Sequence, residues 1–318
     1  ISEKTKNKIL ILFKQIDQYA GQSFTIFSVP GSKRKILMSG GSVNINMFEN
    51  GRKLGDKIKI DGMCLLQSKK HPELLYVGSK GNGLSCYRFQ NNSNSHWKKV
   101  YSALDDTDVT TIVEDNDGFI WCATDRGIFR ISEDGKTFLK FDEENGLPSI
   151  DMANVKIIDG KILFLTEAGI YEYNSTESIF EPSDVWGNIS ADTTCGTWDV
   201  CKYKDGYIIS RYNSDDQIYW IDYAKKNEQG EFYLEKAGFE KLPNDINLLY
   251  IYVDNNDNLW ISVDVDLYCY KSDVIDNVYY KEPFNAHIRQ IVANDTVLFG
   301  GAFLSENGTI VMNQPKNQ

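Results

Sequence analysis

Asp108-Val109-Thr110-Thr111-Ile112-Val113-Glu114-Asp115-Asn116-Asp117-Gly118-Phe119-Ile120-Trp121-Cys122-Ala123-Thr124-Asp125-Arg126-Gly127-Ile128-Phe129 is the stretch on which the fold turns. β-branched and aromatic residues alternate with polar ones, and Asn-Asp-Gly and, a few residues on, Glu-Asp-Gly break the runs. Such short runs between turn residues predict strands, here Val109–Val113, Phe119–Ala123, Ile128–Ile131 and Phe138–Phe141. Asn, Asp and Gly accept the left-handed backbone that tight turns need.

A second copy of the pattern reads Val253-Asp254-Asn255-Asn256-Asp257-Asn258-Leu259-Trp260, and its Trp lies 139 residues after Trp121. Three units of some 46 residues fit that interval. A second marker, the turn after the Trp strand, recurs at Gly41, Gly83, Gly127, Gly169, Asp216, Asp266 and Gly308. The intervals are 42, 44, 42, 47, 50 and 42, which makes seven units. Four short strands per unit of this length predict a propeller blade. The expected fold is therefore all-β, a seven-bladed β-propeller with about four antiparallel strands per blade. The approximate blades are 22–60, 61–107, 108–150, 151–194, 195–244, 245–285, and 286–318 completed by 8–16. No helical period of useful length is present, and Ser175–Phe180 and Tyr223–Glu228 read as loops.

The last unit holds Thr296–Phe299 and Thr309–Met312 but no fourth strand, whereas Ile9–Phe13 has no partner in the first unit. A closed ring leaves no open edge between its ends. Ile9–Phe13 is thus expected to complete the last blade, and residues 1–318 to form one domain.

Composition narrows the function. The chain has 318 residues, 34 Lys and Arg against 45 Asp and Glu, a net charge of −11, 42% hydrophobic and 25% charged residues. An acidic chain is a poor candidate for nucleic acid or anionic membranes, which need a Lys/Arg surface. The most apolar run, Ile9–Phe13, is five residues long, far below the ~20 of a membrane span. No membrane insertion of this segment is expected. Six Cys (64, 86, 122, 195, 201 and 269) contain no CxxC pair, and the His residues are 71, 96 and 287. Zinc is disfavoured, and most of these Cys read as small buried hydrophobes. Cys195 and Cys201 are close enough in sequence to raise a disulfide.

The unit around Trp121 resembles the two-component regulator propeller repeat, V-x-x-I-x-x-D-x-x-G-x-[IL]-W-x-x-T-x-x-G-[IL], with an x-x-G-L-P link matched at Asn145-Gly146-Leu147-Pro148. The resemblance is specific over about 45 residues, and weaker around Gly169 and Trp260. It implies an extracytoplasmic sensor region of a bacterial hybrid histidine kinase, Bacteroidetes-like. There such propellers recognise glycan fragments or help sensors dimerise. A glycan or small-molecule ligand and a partner domain or second copy are the partners it implies. Many full sensors carry two propellers and a β-sandwich, whereas this chain has room for one propeller.

Ser132-Glu133-Asp134-Gly135-Lys136-Thr137-Phe138 is similar to the Asp-box turn of propeller glycosidases, one residue short. In those families it is a structural hairpin. A sialidase-like site needs three converging Arg for a carboxylate. Only Arg126, Arg211 and Arg289 fall on the proper face, in three different blades. With 45 acidic residues, carboxylate pairs for hydrolysis arise by coincidence. No nucleophile elbow, P-loop or dinucleotide fingerprint is present. Asp115–Gly118 and Asp254–Asn258 offer oxygens as calcium loops do, but the recurring position favours a structural turn, so no cofactor is expected.

What remains is a binding surface where inter-blade links and second-to-third-strand turns share one face. Trp198, Arg211, Tyr212 and Asn213 fall in the unit departing most from the repeat, with Arg126, His287 and Arg289 on the same face. Trp186 and Asn247 lie in the links. Flat aromatics and planar polar groups suit sugar rings. The expectation is a non-catalytic sensor. Its alternatives are a propeller glycoside hydrolase or polysaccharide lyase, and an interaction scaffold.

Overall fold

The computed structural model describes residues 13–17, 23–50, 52–91, 96–150, 153–213, 215, 218–235, 239, 242, 249–254, 257–263, 266–271, 274–277, 287–293, 297–303 and 309–313. Among these residues the strands form seven four-stranded antiparallel sheets. Strand β1 (Phe13–Asp17) comes first. Sheet one is β2 (Ser23–Ser28), β3 (Lys35–Gly40), β4 (Ile45–Glu49) and β5 (Arg52–Ile58). Sheet two is β6 (Cys64–Gln67), β7 (Leu74–Gly78), β8 (Leu84–Phe89) and β9 (Trp97–Ala103). Sheet three is β10 (Val109–Glu114), β11 (Ile120–Thr124), β12 (Gly127–Ile131) and β13 (Phe138–Phe141). Sheet four is β14 (Asn154–Ile158), β15 (Lys161–Thr166), β16 (Gly169–Asn174) and β17 (Ile179–Pro182). Sheet five is β18 (Gly196–Tyr203), β19 (Gly206–Asn213), β20 (Ile218–Lys226) and β21 (Phe232–Glu235). Sheet six is β22 (Leu249–Val253), β23 (Leu259–Val263), β24 (Asp266–Lys271) and β25 (Val274–Asn277). Sheet seven is β26 (His287–Ala293), β27 (Val297–Phe303) and β28 (Thr309–Asn313), with β1 paired to β28.

The first strands of successive sheets are neighbours in order, from β2 to β6 and on to β26, and β26 lies beside β2. As expected, an N-terminal strand pairs with the last one: among the described residues it is Phe13–Asp17, in register Phe13↔Met312 to Asp17↔Thr309, of which the expected Ile9–Phe13 includes Phe13. Residues 9–12 lie outside the described residues.

The core sits between neighbouring sheets. Phe27, Met38 and Met47 of sheet one meet Leu75, Val77 and Phe89 of sheet two. Trp121, Ile128 and Phe141 of sheet three meet Val155, Phe164 and Phe180 of sheet four. Trp121 stands edge-on to Phe164 with ring centres 5.3 Å apart. Burying one such side chain contributes about 1.5–3 kcal/mol. Both repeat Trp residues are core, as expected. Each donates its indole N–H to the Asp that opens the preceding turn: Trp121 to Asp115 Oδ2 at 3.0 Å and Trp260 to Asp254 Oδ2 at 2.8 Å.

Two loop expectations hold only in part: Ser175–Ser178 is a turn and residues 227–228 follow the strand, but the strands reach further than expected. Ile179–Pro182 is the outer strand of sheet four, and Tyr223–Lys226 continues β20. Tyr223 and Ala224 are 2% and 0% exposed. Packing on both faces of a sheet overrides the polar run that follows them. Cys195 and Cys201 are free thiols. Cys201 lies within an extended strand that begins next to Cys195, so six residues separate the two by about 20 Å.

Candidate functional site at the loop end of the sheets

The links between sheets and the turns between second and third strands share one end, and backbone contacts stitch them together. Gly62 N–H donates to the Gly41 carbonyl at 3.0 Å, Gly83 N–H to Thr107 at 3.0 Å, and Asp125 N–H to Asp108 at 3.1 Å. Gly83 has φ +60°, and a Cβ there would meet the Leu104 carbonyl oxygen at 2.1 Å, so only glycine fits. Carboxylates cap the same junctions. Asp61 accepts from Lys80 N–H at 3.1 Å, Asp108 from Gly81 N–H at 2.7 Å, and Asp125 from Asp108 N–H at 2.8 Å. Burial, with the neighbouring Asp108 charge adding to it, pushes the Asp61 carboxyl up.

The first strands start at this end. Three carry a β-bulge near their start, at Thr110 in β10, Trp198 in β18 and Arg289 in β26. A bulge re-aims a side chain and increases the local twist. Trp198 is half-buried and meets Tyr250 of the adjacent β22 edge-on, with ring centres 6.4 Å apart. Asn154 of β14 donates its Nδ2–H to the Trp198 carbonyl at 3.1 Å. Beneath them Lys156 pairs with Asp199 and donates to the Val200 carbonyl at 3.1 Å. The result is an aromatic pair flanked by an amide and an ion pair. An apolar ring face can lie on it while hydroxyls reach polar partners.

The other expected residues are placed differently. Arg126 is exposed in the β11–β12 turn, with its backbone N–H donating to Thr124 Oγ1 at 3.0 Å. Arg211 is 2% exposed. Its Nε lies 2.9 Å from Asp222, its Nη1 lies 3.0 Å from the Cys195 sulfur, and its Nη2 donates to the Ile189 carbonyl at 2.5 Å. It ties the link to the sheet, and its guanidinium is not presented at the loop end. Tyr212 is 4% exposed, its ring folded over Gly196, where a Cβ would come within 2.2 Å. A sheet covered on both faces hides both residues of the pair. Asn213 is half-buried and accepts from Asp215 N–H at 2.8 Å. Trp186 is 1% exposed against Tyr207. The backbones of His287 and Arg289 lie on β26, His287 at its start, but their side chains and all of Asn247 lie outside the described residues.

Asn154, Tyr250 and the Lys156–Asp199 pair were missed. Their only sequence signal is polar or aromatic residues near the start of first strands.

The Asn/Asp-rich stretches are hairpin turns. Asp115 Oδ1 accepts from Asp117 N–H at 3.0 Å and Phe119 N–H at 2.8 Å, and its other oxygen takes the Trp121 indole. The Asp-box-like turn is likewise closed on itself. Ser132 Oγ–H donates to Asp134 at 2.7 Å, which with the Lys136 contacts holds that carboxyl down to about 2. Among the described residues no group of three or more His, Cys, Asp and Glu is placed to hold a metal ion. No helix among them is long and apolar enough to cross a membrane. A cavity of about 470 Å³ opens between sheets two and three, lined by Leu74, Cys86, Arg88, Val100, Tyr101 and Ser132–Asp134. It includes the third-to-fourth-strand hairpin of sheet three, away from the loop end.

Residues 103–126 match the family model described as the two component regulator propeller. A comparison with curated proteins finds no match. Among solved structures, the extracellular domain of a protein assigned to a hybrid two component system of B. thetaiotaomicron aligns with TM-score 0.67 and 15% identity, over 97% of this chain and 40% of that one. A second such domain from the same organism aligns with TM-score 0.63 and 15% identity, over 95% and 40%. Virginiamycin B lyase from Staphylococcus aureus aligns with TM-score 0.63 and 13% identity, over 96% and 99%. The chain thus spans about two fifths of the Bacteroides structures it resembles. At these identities the likeness is one of fold.

Proposed function

We propose that residues 1–318 form one closed ring of seven blades that acts as the non-catalytic ligand-binding propeller of a bacterial two-component receptor, outside the cytoplasm. The match of residues 103–126 to the two component regulator propeller carries this reading. The extracellular Bacteroides domains of the same fold support it. Closure is supported by the β1–β28 pairing and by β26 lying beside β2. The ligand is a glycan or related small molecule seated at the loop end on Trp198 and Tyr250, with Asn154, Arg126 and the first-strand bulge position of Arg289 around it. The signal passes by docking of a partner domain or a second copy. The test is a thermal-shift screen against oligosaccharides. A ligand binding only the folded state at 100 times its Kd stabilises by about 2.7 kcal/mol. A shift that Trp198→Ala removes, with the sugar recovered unchanged, supports the reading. A shift that Trp198→Ala leaves intact contradicts it.

The lyase alignment favours one second reading. A structure of that lyase is a catalytically inactive histidine variant with quinupristin. His287 begins β26 at the loop end, whereas His71 and His96 belong to turns at the opposite end. Turnover of a cyclic depsipeptide or glycan that disappears in His287→Ala would establish an enzyme instead.

A further inference from the structure

Net charge conceals how the charge is distributed. Residues 23–103, which build sheets one and two, hold 13 Lys and Arg against 4 Asp and Glu, a net +9 within a chain of −11. All 13 basic residues are exposed, and none of the 4 acidic ones is. Glu49 is held by Arg34 at 2.8 Å, and Asp56 sits 3.0 Å from His96. The surface of these two sheets is therefore almost purely basic, and the remainder of the chain carries −20.

The basic groups follow a path. At the loop end stand Lys59 and Lys80. Along the outer strand β5 come Lys57 and then Lys53 and Arg52, a run of about 20 Å. The path continues at the opposite end through Lys33 in the β2–β3 turn and Lys69 in the β6–β7 turn. A planar bilayer could not touch the groups at both ends and along the outer strand at once, whereas a linear polymer can follow them. The exposed large apolar side chains on these sheets are Val43 and Val100, among the described residues. A polypeptide partner usually needs apolar anchors and must be ordered on binding. A stiff polymer with dense charge needs neither, and on the extracytoplasmic reading proposed above that polymer is a polysaccharide rather than a nucleic acid. The Debye length of about 8–10 Å screens the acidic sheets from a ligand on this side.

We propose that sheets one and two form a docking track for an acidic polysaccharide bearing repeated carboxylate or sulfate groups. The track begins at the loop end of sheets one and two, apart from Trp198 and Tyr250 in sheets five and six, and does not depend on what binds there.

The test is fluorescence anisotropy of labelled polygalacturonate and labelled dextran sulfate, with neutral dextran, polyglutamate and phosphatidylglycerol vesicles in parallel. The chain is expected to bind at least one of the two acidic polysaccharides, and which one identifies carboxylate or sulfate as the recognised group. Raising salt from about 50 to about 300 mM should weaken binding at least about tenfold, as release of counterions requires. The variant Arg52→Glu, Lys53→Glu, Lys57→Glu, Lys59→Glu should lose about tenfold or more, and Lys136→Glu, Lys161→Glu, Lys204→Glu, Lys226→Glu, with the same charge change, less than about threefold. Circular dichroism and Tm confirm that both variants fold. No polysaccharide binding at low salt overturns the proposal, as do equal losses in both variants, or preference for polyglutamate or vesicles. So does a track variant that aggregates while binding normally, since the lysines would then only keep outer strands from pairing between molecules.

Discussion

Arg211 and Asp222 meet inside sheet five, and each depends on the other. Burial pushes the Asp222 carboxyl up, and the Arg211 guanidinium pulls it back. Arg211→Ala removes the opposing charge, so the variant should lose about 3–5 kcal/mol in urea unfolding at neutral pH. The pH sign follows from linkage. An acid whose folded pKa lies above its unfolded one costs stability as pH rises between the two, and costs nothing once it is protonated in both states. The deficit of Arg211→Ala should therefore be largest near neutral pH and shrink in acid. A deficit independent of pH would show that Asp222 is not what Arg211 compensates. Trp121→Phe tests the turn device in the same way. It keeps an aromatic ring but removes the indole N–H, leaving Asp115 Oδ2 with the Arg130 guanidinium at 3.7 Å, for an expected cost of about 1–3 kcal/mol. At this scale sequence reading worked where a residue occupies the repeat position, as Trp121 and Trp260 do. It worked less well for Arg211 and Tyr212, because a strand's alternation shows that side chains face opposite ways but not that both faces are covered.

Strand boundaries in the third sheet were legible to within a residue or so, because turn residues bracket each short run. Outer strands were harder. Ile179–Pro182 buries only Phe180, so its sequence looks like a loop, and at the end of β20 the polar run after Ala224 hides a strand buried on both faces. The bulges in β10, β18 and β26 could not be read at all, since one extra residue in a strand leaves the composition unchanged. They matter because they set Trp198 and the backbone of Arg289 at corresponding positions. The turn at Gly83 gives a prediction at this scale. Gly83→Ala places a Cβ against the Leu104 carbonyl in a left-handed backbone, and should cost about 1–3 kcal/mol of stability. An unchanged Tm would mean that the link between sheets two and three moves freely.

The proposed ring depends on its seventh sheet, which joins residues from both ends of the described chain. Removing residues 1–17 would leave the outer edge of β28 without its partner strand. An unpaired strand edge invites pairing with another chain. The truncated protein should unfold at lower temperature and scatter more light at equal concentration, and a truncation without effect would contradict the closure. The charge segregation belongs to this scale too, for it vanishes in the whole-chain sum and emerges only once the first two sheets are taken as a unit. The central claim is that the loop end binds a ligand without transforming it. Calorimetric titration of an oligosaccharide panel, followed by chromatography of the recovered ligand, tests it most directly. The account predicts saturable binding of at least one oligosaccharide, recovered intact, with affinity lost in Trp198→Ala. Conversion of the ligand to product, or binding indifferent to Trp198→Ala, would contradict it.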